Sequence, residues 1–468
     1  MKALVFSFFI LSLISCESGK KEKRLNSATG FSKESASESI YCGAYCDPPS
    51  ITYKLAGDST CAHSSQDVLN CFAWKNFIAL NWTASAQRGV PDTTATAANY
   101  GMPGDYSPTV WESFLSIDDV FAPKVPLTWN LNSKNSYVKQ INEINKFTDI
   151  NTGIPKATLR AAVGSSNMDE ILQAEGSWLT DQSGNIVWYE IKINNTESDF
   201  IRKNKLYDYN SLKEFGTSNK GVWLPMESIE LKAAWRIIPE NKLDSLKNYY
   251  KISKAMVPEI KGFKDGKPVY GKYSPKYLGL VGLHIIRKTP QSPQLNWMTF
   301  EHINNAPNEG QGDPSIKYCF YNPKSTEVPN QAPIIGKDSL NKPVQVVRVN
   351  KIKTKLQKLN SQMQQLIRVS NPKSVWQYYQ LVNIQWPENP IQDNGNNQSA
   401  PLMEGGITPS DISNTTMETY AQQKQCMDCH KYASVVGSEK GLPPTDYSFI
   451  FLKVKPPKQI QKGRTSVK

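Results

Sequence analysis

The feature that most limits how this chain can fold is a series of strand-like runs interleaved with helical patterns. Runs rich in β-branched and aromatic residues recur at residues 186–193, 229–238, 278–286, 297–303 and 375–386. Helical periodicity lies between them, but without the regular βαβ rhythm of a parallel sheet. The pattern therefore predicts an α+β fold with a largely antiparallel sheet and interspersed helices.

The helical patterns predict which segments cover this sheet. The clearest begins at Ser64 and spaces its apolar side chains at the helical period as far as Leu80. A hairpin is expected around residues 181–185, because this turn contains Gly and Asn between two strand-like runs. Further helices are expected at residues 113–120, 136–147, 196–203, 243–250 and 354–367.

The N-terminus has the pattern of a targeting segment. Residues 1–15 contain an apolar run that is too short to span a bilayer but suits a signal peptide. Leu13-Ile14-Ser15-Cys16 resembles the bacterial lipobox, whose cysteine is acylated, and the alternative is an ordinary secretory signal. Residues 16–40 are polar and predict a flexible tether. We therefore expect lipidation at Cys16 and an exported protein on the periplasmic face of a bacterial membrane, the outer membrane being favoured.

Charge is concentrated at the other end of the chain. The composition, 39% hydrophobic and 21% charged, is that of a globular protein rather than a disordered one. Of the net charge of +12, residues 431–468 carry +6, whereas residues 42–430 carry only about +4. Such a body lacks the basic surface of a nucleic-acid-binding protein. We expect an α+β body over residues 41–390 and a C-terminal segment over residues 391–468 with a basic tail.

One motif in the C-terminal segment specifies a chemistry, namely Cys426-Met427-Asp428-Cys429-His430. Two thiols at this spacing can form thioethers with both vinyl groups of one porphyrin edge, and the next imidazole then binds the iron. The alternatives are a thioredoxin-like pair, a zinc half-site and a structural disulfide. No βαβ pattern surrounds the pair, and no second Cys-x-x-Cys or His pair completes a zinc site. The motif therefore predicts one covalent haem c, with His430 as its proximal ligand.

Through these five residues the C-terminal segment resembles the cytochrome c family, over residues 414–451. A helix over residues 415–421 is expected to lead into the motif. The resemblance implies that the carbonyl of Pro443 accepts a hydrogen bond from Nδ1 of His430, since small cytochromes c place a proline at a similar distance. Unlike that family, this chain has no Met after His430, so a sixth ligand must come from upstream.

Three other histidines are available for that position. His302 lies where a strand runs into a turn, and we expect it to be the distal ligand. His284 lies in an apolar strand and is expected to be a hydrogen-bonded core residue, and His63 a surface residue. The remaining alternatives are a vacant site or a thioether from Met298, Met403 or Met417.

Five cysteines remain once the lipid and haem cysteines are set aside. In an oxidising compartment they predict two disulfides and one free thiol. We expect Cys61 to pair with Cys71, and Cys319 to pair with Cys42 or Cys46.

The body also resembles a group of large bacterial exported proteins with one C-terminal motif of this kind, through residues 73–82, 233–236 and 299–307. That resemblance implies no particular reaction. Single-electron transfer to a redox partner protein at the membrane surface is the expected function. A haem enzyme or small-molecule sensor with an open distal site, and a surface-assembly or ligand-binding lipoprotein with a structural haem, are the alternatives.

Overall fold

The structure is a computed structural model that describes residues 50–57, 66–124, 139–140, 177–264, 267–387, 401–402, 409–435 and 442–457. The predictions for Cys16, the tether, Cys42, Cys46, Cys61, His63 and Met403 lie outside these residues. Residues 39–468 cluster as one compact unit. No helix in the described ranges is long and apolar enough to cross a membrane.

Helices and strands alternate along the described chain. The α-helices are α1 (Gln66–Leu80), α2 (Ile117–Phe121), α3 (Asn195–Lys203), α4 (Tyr209–Ser218), α5 (Leu243–Leu246), α6 (Thr354–Ser370) and α7 (Cys426–His430). The strands are β1 (Leu115–Ser116), β2 (Lys139–Gln140), β3 (Trp188–Ile193), β4 (Ile229–Ile238), β5 (Ile252–Lys264), β6 (Lys267–Thr289), β7 (Ser292–His302), β8 (Tyr379–Pro387) and β9 (Pro401–Leu402). Short 3-10 turns cover Ala97–Asn99, Trp111–Ser113, Glu240–Lys242, Val375–Tyr378, Pro409–Ile412 and Ile450–Lys453.

The strands form one sheet in the order β1-β3-β4-β6-β7-β8-β9, with β5 pairing to β6 and β2 to β5. Every pair is antiparallel except β2 with β5. β6 is the longest strand: its first half pairs with β5, and its second half lies between β4 and β7. The predicted α+β class with a largely antiparallel sheet is confirmed.

One face of the sheet is covered by α1 and α6. Phe77 of α1 stacks on Phe300 of β7 with ring centroids 4.3 Å apart. Trp74 contacts the same Phe300 ring edge-on and donates from Nε1 to Oδ1 of Asn360 on α6 at 2.9 Å. Leu283 of β6 pairs with Phe300 and belongs to the same core. Its neighbours in sequence point to the opposite face, because side chains alternate along a strand. These contacts make the central strands a rigid support.

The opposite face of β6 and β7 carries the C-terminal segment. Asn414 donates from Nδ2 to the carbonyl of Phe300 at 2.7 Å, and Thr415 donates from Oγ1 to Oε2 of Glu301 at 2.7 Å. The approach is closest at Gly282, where an added Cβ would lie only 2.2 Å from Oγ1 of Thr416. A glycine is therefore required here by close packing.

Several element predictions need correction. Residues 415–421 form turns rather than a helix, because Asn414 and Thr415 direct their side chains and backbone into hydrogen bonds with the sheet. Residues 375–378 form a 3-10 turn before β8, and 139–140, within a predicted helix, form a strand. α4 and β5 were not predicted. β5 lacks a recognisable strand pattern in the sequence, because it contains Pro258 and Gly262. Both residues lie at irregularities in its pairing with β6.

Candidate functional site

The motif residues Cys426–His430 form the short helix α7 on this face of the sheet. Gln425 precedes the helix, and its backbone N–H donates to Oδ2 of Asp428 at 3.1 Å, which is half of a capping box. Cys426 and Cys429 are three residues apart and so lie on the same side of the helix. Both thiols are free of disulfide bonds. The local sequence therefore fixes both thiols in one direction.

Met427 anchors α7 to the sheet. Its side chain is 1% exposed and belongs to a buried cluster with Leu295 and Trp297 of β7. The cluster also contains Ile286 and Tyr447. This contact holds the motif against the two central strands.

A cavity that is partly open to solvent lies between the sheet and the C-terminal segment. Cys426, Cys429 and His430 all line it, as do Ile286 and Trp297 from the sheet. Cofactor sites likewise combine apolar walls with a few polar groups. Two thiols and an imidazole that reach one partly apolar cavity fit a covalently attached haem.

The imidazole of His430 is oriented by the chain that follows it. Its Nδ1 lies 2.7 Å from the carbonyl oxygen of Tyr447, and the rings of Trp297 and Phe449 lie 4.5 and 5.0 Å away. A carbonyl can only accept, so Nδ1 carries the proton and Nε2 carries the lone pair that binds a metal. This is the tautomer that a proximal haem ligand needs.

The predicted acceptor for that hydrogen bond, Pro443, is wrong. The carbonyl of Pro443 accepts from the backbone N–H of Val435 at 2.9 Å, because residues 442–445 pair with residues 433–435. The chain then turns through Asp446 and Tyr447, whose φ angles are +48° and +64°. That turn brings the carbonyl of Tyr447 to the imidazole.

Two successive non-glycine residues with positive φ are strained, and surrounding contacts must hold them. Asp446 supplies these contacts: its Oδ2 accepts from the backbone N–H of Leu224 at 2.9 Å and pairs with Nζ of Lys288 at 2.5 Å. Both side chains of that ion pair are almost fully buried. Lys288 and Asp446 therefore position the acceptor of the His430 proton.

Beside this ion pair lie two further buried carboxyl groups, Glu197 at the start of α3 and Glu230 on β4. Burial, with some opposition from hydrogen bonds to Ser448 and Glu197, raises the pKa of Glu230 to about 7. Burial and the nearby Glu230 raise the pKa of Glu197 well above its usual range. At least one of the two carboxyls is thus protonated in mildly acidic solution.

Stability should therefore fall as pH rises from about 4.5 to about 7, the window between the ordinary and the raised pKa of Glu230. Within this window the folded chain keeps a proton that the unfolded chain has lost, so protonation favours the fold. Glu230→Gln should remove about 1–3 kcal/mol of this pH dependence and stabilise the protein at pH 8. Urea unfolding at several pH values measures it. The surface variant Glu240→Gln is the control, and an unchanged pH profile in Glu230→Gln would refute the assignment.

His284 is not the hydrogen-bonded core histidine that its apolar strand predicts. It lines the cavity together with His430. Its Nε2 lies 3.5 Å from Oε2 of Glu418 and makes no regular hydrogen bond. His284 shares a strand face with Gly282, and that glycine is the sequence signal for the face on which another segment packs closely.

The prediction that His302 faces the haem is also wrong. His302 is 1% exposed and does not line the cavity. Its Nδ1 accepts from the backbone N–H of Asn304 at 3.2 Å, its Nε2 lies 3.1 Å from the carbonyl oxygen of Tyr249, and its ring stacks on Tyr250. Burial lowers its pKa to about 3, so the ring is neutral. Along β7, residues 297, 299 and 301 contact the C-terminal segment, and strand alternation places residue 302 on the other side.

Of the two described methionines that were alternatives for the sixth ligand, one lines the cavity and the other does not. Met298 lines the cavity, although it also belongs to the core beside α1. Met417 is buried in a different cluster with Tyr189 and Val281 and does not line the cavity.

The cysteines outside the motif are partly described. Cys71 is disulfide-bonded, and its predicted partner Cys61 lies outside the described residues. The prediction that Cys319 forms a disulfide is wrong, since Cys319 is a buried free thiol. Arg236 donates to its Sγ at 3.1 Å and the hydroxyl of Tyr250 lies 3.0 Å away, so polar groups of the body surround the sulfur.

In the described ranges no cluster of three or more His, Cys, Asp or Glu residues could hold a metal ion. Burial, reinforced by the charge of Glu418, raises the pKa of the Cys426 thiol well above its usual value.

No protein-family model, curated protein or solved structure matches this chain.

Proposed function

We propose that this protein is an exported monohaem c-type cytochrome that transfers single electrons through one haem held by Cys426, Cys429 and His430. The observation that carries the proposal is that these three side chains line one cavity, with Nδ1 of His430 already bonded to a backbone carbonyl. The haem, when bound, supplies an iron that changes between the ferric and ferrous states. The fold contributes its attachment and its surroundings.

Each group in the site has a distinct role in this function. Cys426 and Cys429 hold the porphyrin edge, which keeps the cofactor from dissociating in either oxidation state. Tyr447 increases the electron donation of His430 through the hydrogen bond at Nδ1, which favours the ferric iron. Trp297 and Ile286 give the cavity an apolar wall, which favours the less charged ferrous iron. The balance of these effects sets the reduction potential.

A potentiometric titration of the purified protein tests this function. The haem spectrum should convert reversibly between two states in a single one-electron step, and a redox mediator should reduce and reoxidise the protein rapidly. Rapid carbon monoxide binding by the ferrous protein, with slow and irreversible reduction, would instead favour the enzyme or sensor alternative. In that case electron transfer would not be the function.

We further propose that the chain is attached to the membrane by lipid at Cys16 and acts on the periplasmic face with a redox partner protein. The support is the sequence Leu13-Ile14-Ser15-Cys16 and the polar residues that follow it. Mass spectrometry of the N-terminal peptide should show a diacylated Cys16 as the first residue. Cleavage at another position, or an unmodified cysteine, would contradict the anchor, and Cys16→Ser should release the protein from membranes.

A further inference from the structure

His284 is the second histidine of the haem cavity, and it comes from a different part of the chain than His430. It lies on β6, where it pairs with Thr299 of β7 on one side and Lys232 of β4 on the other. A residue in the middle of a sheet, with paired strands on both sides, is held more rigidly than a residue on a loop. Its position relative to the sheet wall of the cavity is therefore fixed before any cofactor is attached.

The bonding of the partly buried His284 differs from that of the fully buried His302. His302 uses both ring nitrogens for contacts with backbone groups. Nε2 of His284 is buried, yet it has no hydrogen-bond partner of regular geometry. A buried polar atom without such a partner costs free energy, and its presence at a cavity wall points to a ligand that completes its bonding.

Glu418 is the charged group closest to this imidazole, with Oε2 at 3.5 Å from Nε2. The same oxygen accepts from the backbone N–H of Asn414 at 2.9 Å, which fixes the carboxylate. The contact between Oε2 and Nε2 is longer than a regular charge-assisted hydrogen bond, so a metal can replace the carboxylate as the partner of Nε2.

We infer that His284 is the second axial ligand of the haem through Nε2, so that β6 and α7 supply one imidazole each. This inference rests on the function proposed above. It gives the iron a second ligand from the body, whereas residues 431–468 contain no Met. Imidazole coordination on both sides gives a lower potential than the His/Met coordination of small cytochromes c.

Visible and electron paramagnetic resonance spectra of the holoprotein test this assignment. The wild-type iron should be low-spin in both oxidation states, and the ferrous protein should resist carbon monoxide. His284→Ala should make the ferrous iron high-spin and open it to carbon monoxide while the haem remains covalently attached. His302→Gln is the matched control and should leave the spectrum unchanged.

One further variant guards against a folding artefact. His284→Met keeps the bulk of the side chain and offers a thioether, so the iron should stay low-spin and its potential should rise. Circular dichroism of each variant reports whether the fold is intact.

Two outcomes would overturn the inference and leave the proposed function standing. One is a wild-type protein with covalent haem that is high-spin and binds carbon monoxide at once. The other is a low-spin spectrum that neither His284→Ala nor His284→Met alters, which would assign Met298 or a residue outside the described ranges. Absence of covalent haem in the wild-type protein would overturn the inference and the proposed function together.

Discussion

Glu301→Ala is expected to lower the free energy of unfolding by about 3–5 kcal/mol, because it leaves a buried positive charge without its partner. Glu301 is an ion-pair partner of Arg348, and the two side chains are only 2% and 4% exposed. Arg348 also donates from Nη1 to the carbonyl of Ser413 at 2.9 Å. The guanidinium cannot lose its charge at neutral pH, so the full penalty of burial remains.

The same substitution should loosen the segment that carries the motif. Oε2 of Glu301 accepts from both the backbone N–H and Oγ1 of Thr415, at 3.1 and 2.7 Å. Without these bonds, the chain before α7 loses a direct link to β7. We therefore expect faster proteolysis of residues 409–435 and less haem incorporated per chain than in the wild type.

Urea unfolding monitored by tryptophan fluorescence measures the loss of stability. Glu327→Ala serves as the matched control, because its ion pair with Lys342 is half exposed on both sides and such pairs contribute at most about 1 kcal/mol. Glu301→Gln should be milder than Glu301→Ala, since the amide can still accept from Thr415. A loss below about 1 kcal/mol for Glu301→Ala would show that the buried ion pair does not hold the C-terminal segment.

The second large effect is expected from Cys426→Ser/Cys429→Ser, which should eliminate covalently bound haem. Serine has nearly the size of cysteine but cannot form the thioether, so the attachment chemistry is removed with little change in volume. Each single variant should retain one thioether at most and show an altered spectrum of the reduced haem. Haem staining of denatured gels and pyridine haemochrome spectra measure the outcome.

Cys319→Ser is the control for this pair. Cys319 is also a free thiol, but it is buried beside Arg236 and Tyr250 and does not line the cavity. This variant should retain one haem per chain. If the double variant still holds haem after denaturation, the motif is not the attachment site. Equal loss of haem in the double variant and in Cys319→Ser would point to a general folding defect.

Local patterns were sufficient for β3, β4 and the motif, but not for β5. β4 spans Ile229–Ile238, the same residues as its run of apolar and β-branched side chains. It pairs with a strand on each side, so the tertiary structure agrees with its intrinsic β-propensity. α6 likewise begins at Thr354 as predicted and extends to Ser370. Spacing alone points to Cys426 and Cys429, because the proposed attachment requires only residues that are close in sequence.

Contacts between distant residues decided the parts that could not be predicted. The ranking of His302 above His284 relied on position along a strand, whereas the cavity depends on which face of the sheet the C-terminal segment covers. Gly282 marks that face, but only once its strand is known to lie against Thr416. The acceptor of the His430 proton depends on a strained turn at Asp446, which Lys288 holds from another strand.

The most direct test of the central claim is the intact mass of the denatured wild-type protein, purified from a bacterial host that attaches haem to exported chains. The account predicts that every mature chain carries the mass of one haem, and that peptide mapping places it on the peptide containing Cys426 and Cys429. A chain that lacks the mass of a haem, and in which both thiols are free or joined in a disulfide, would contradict the account.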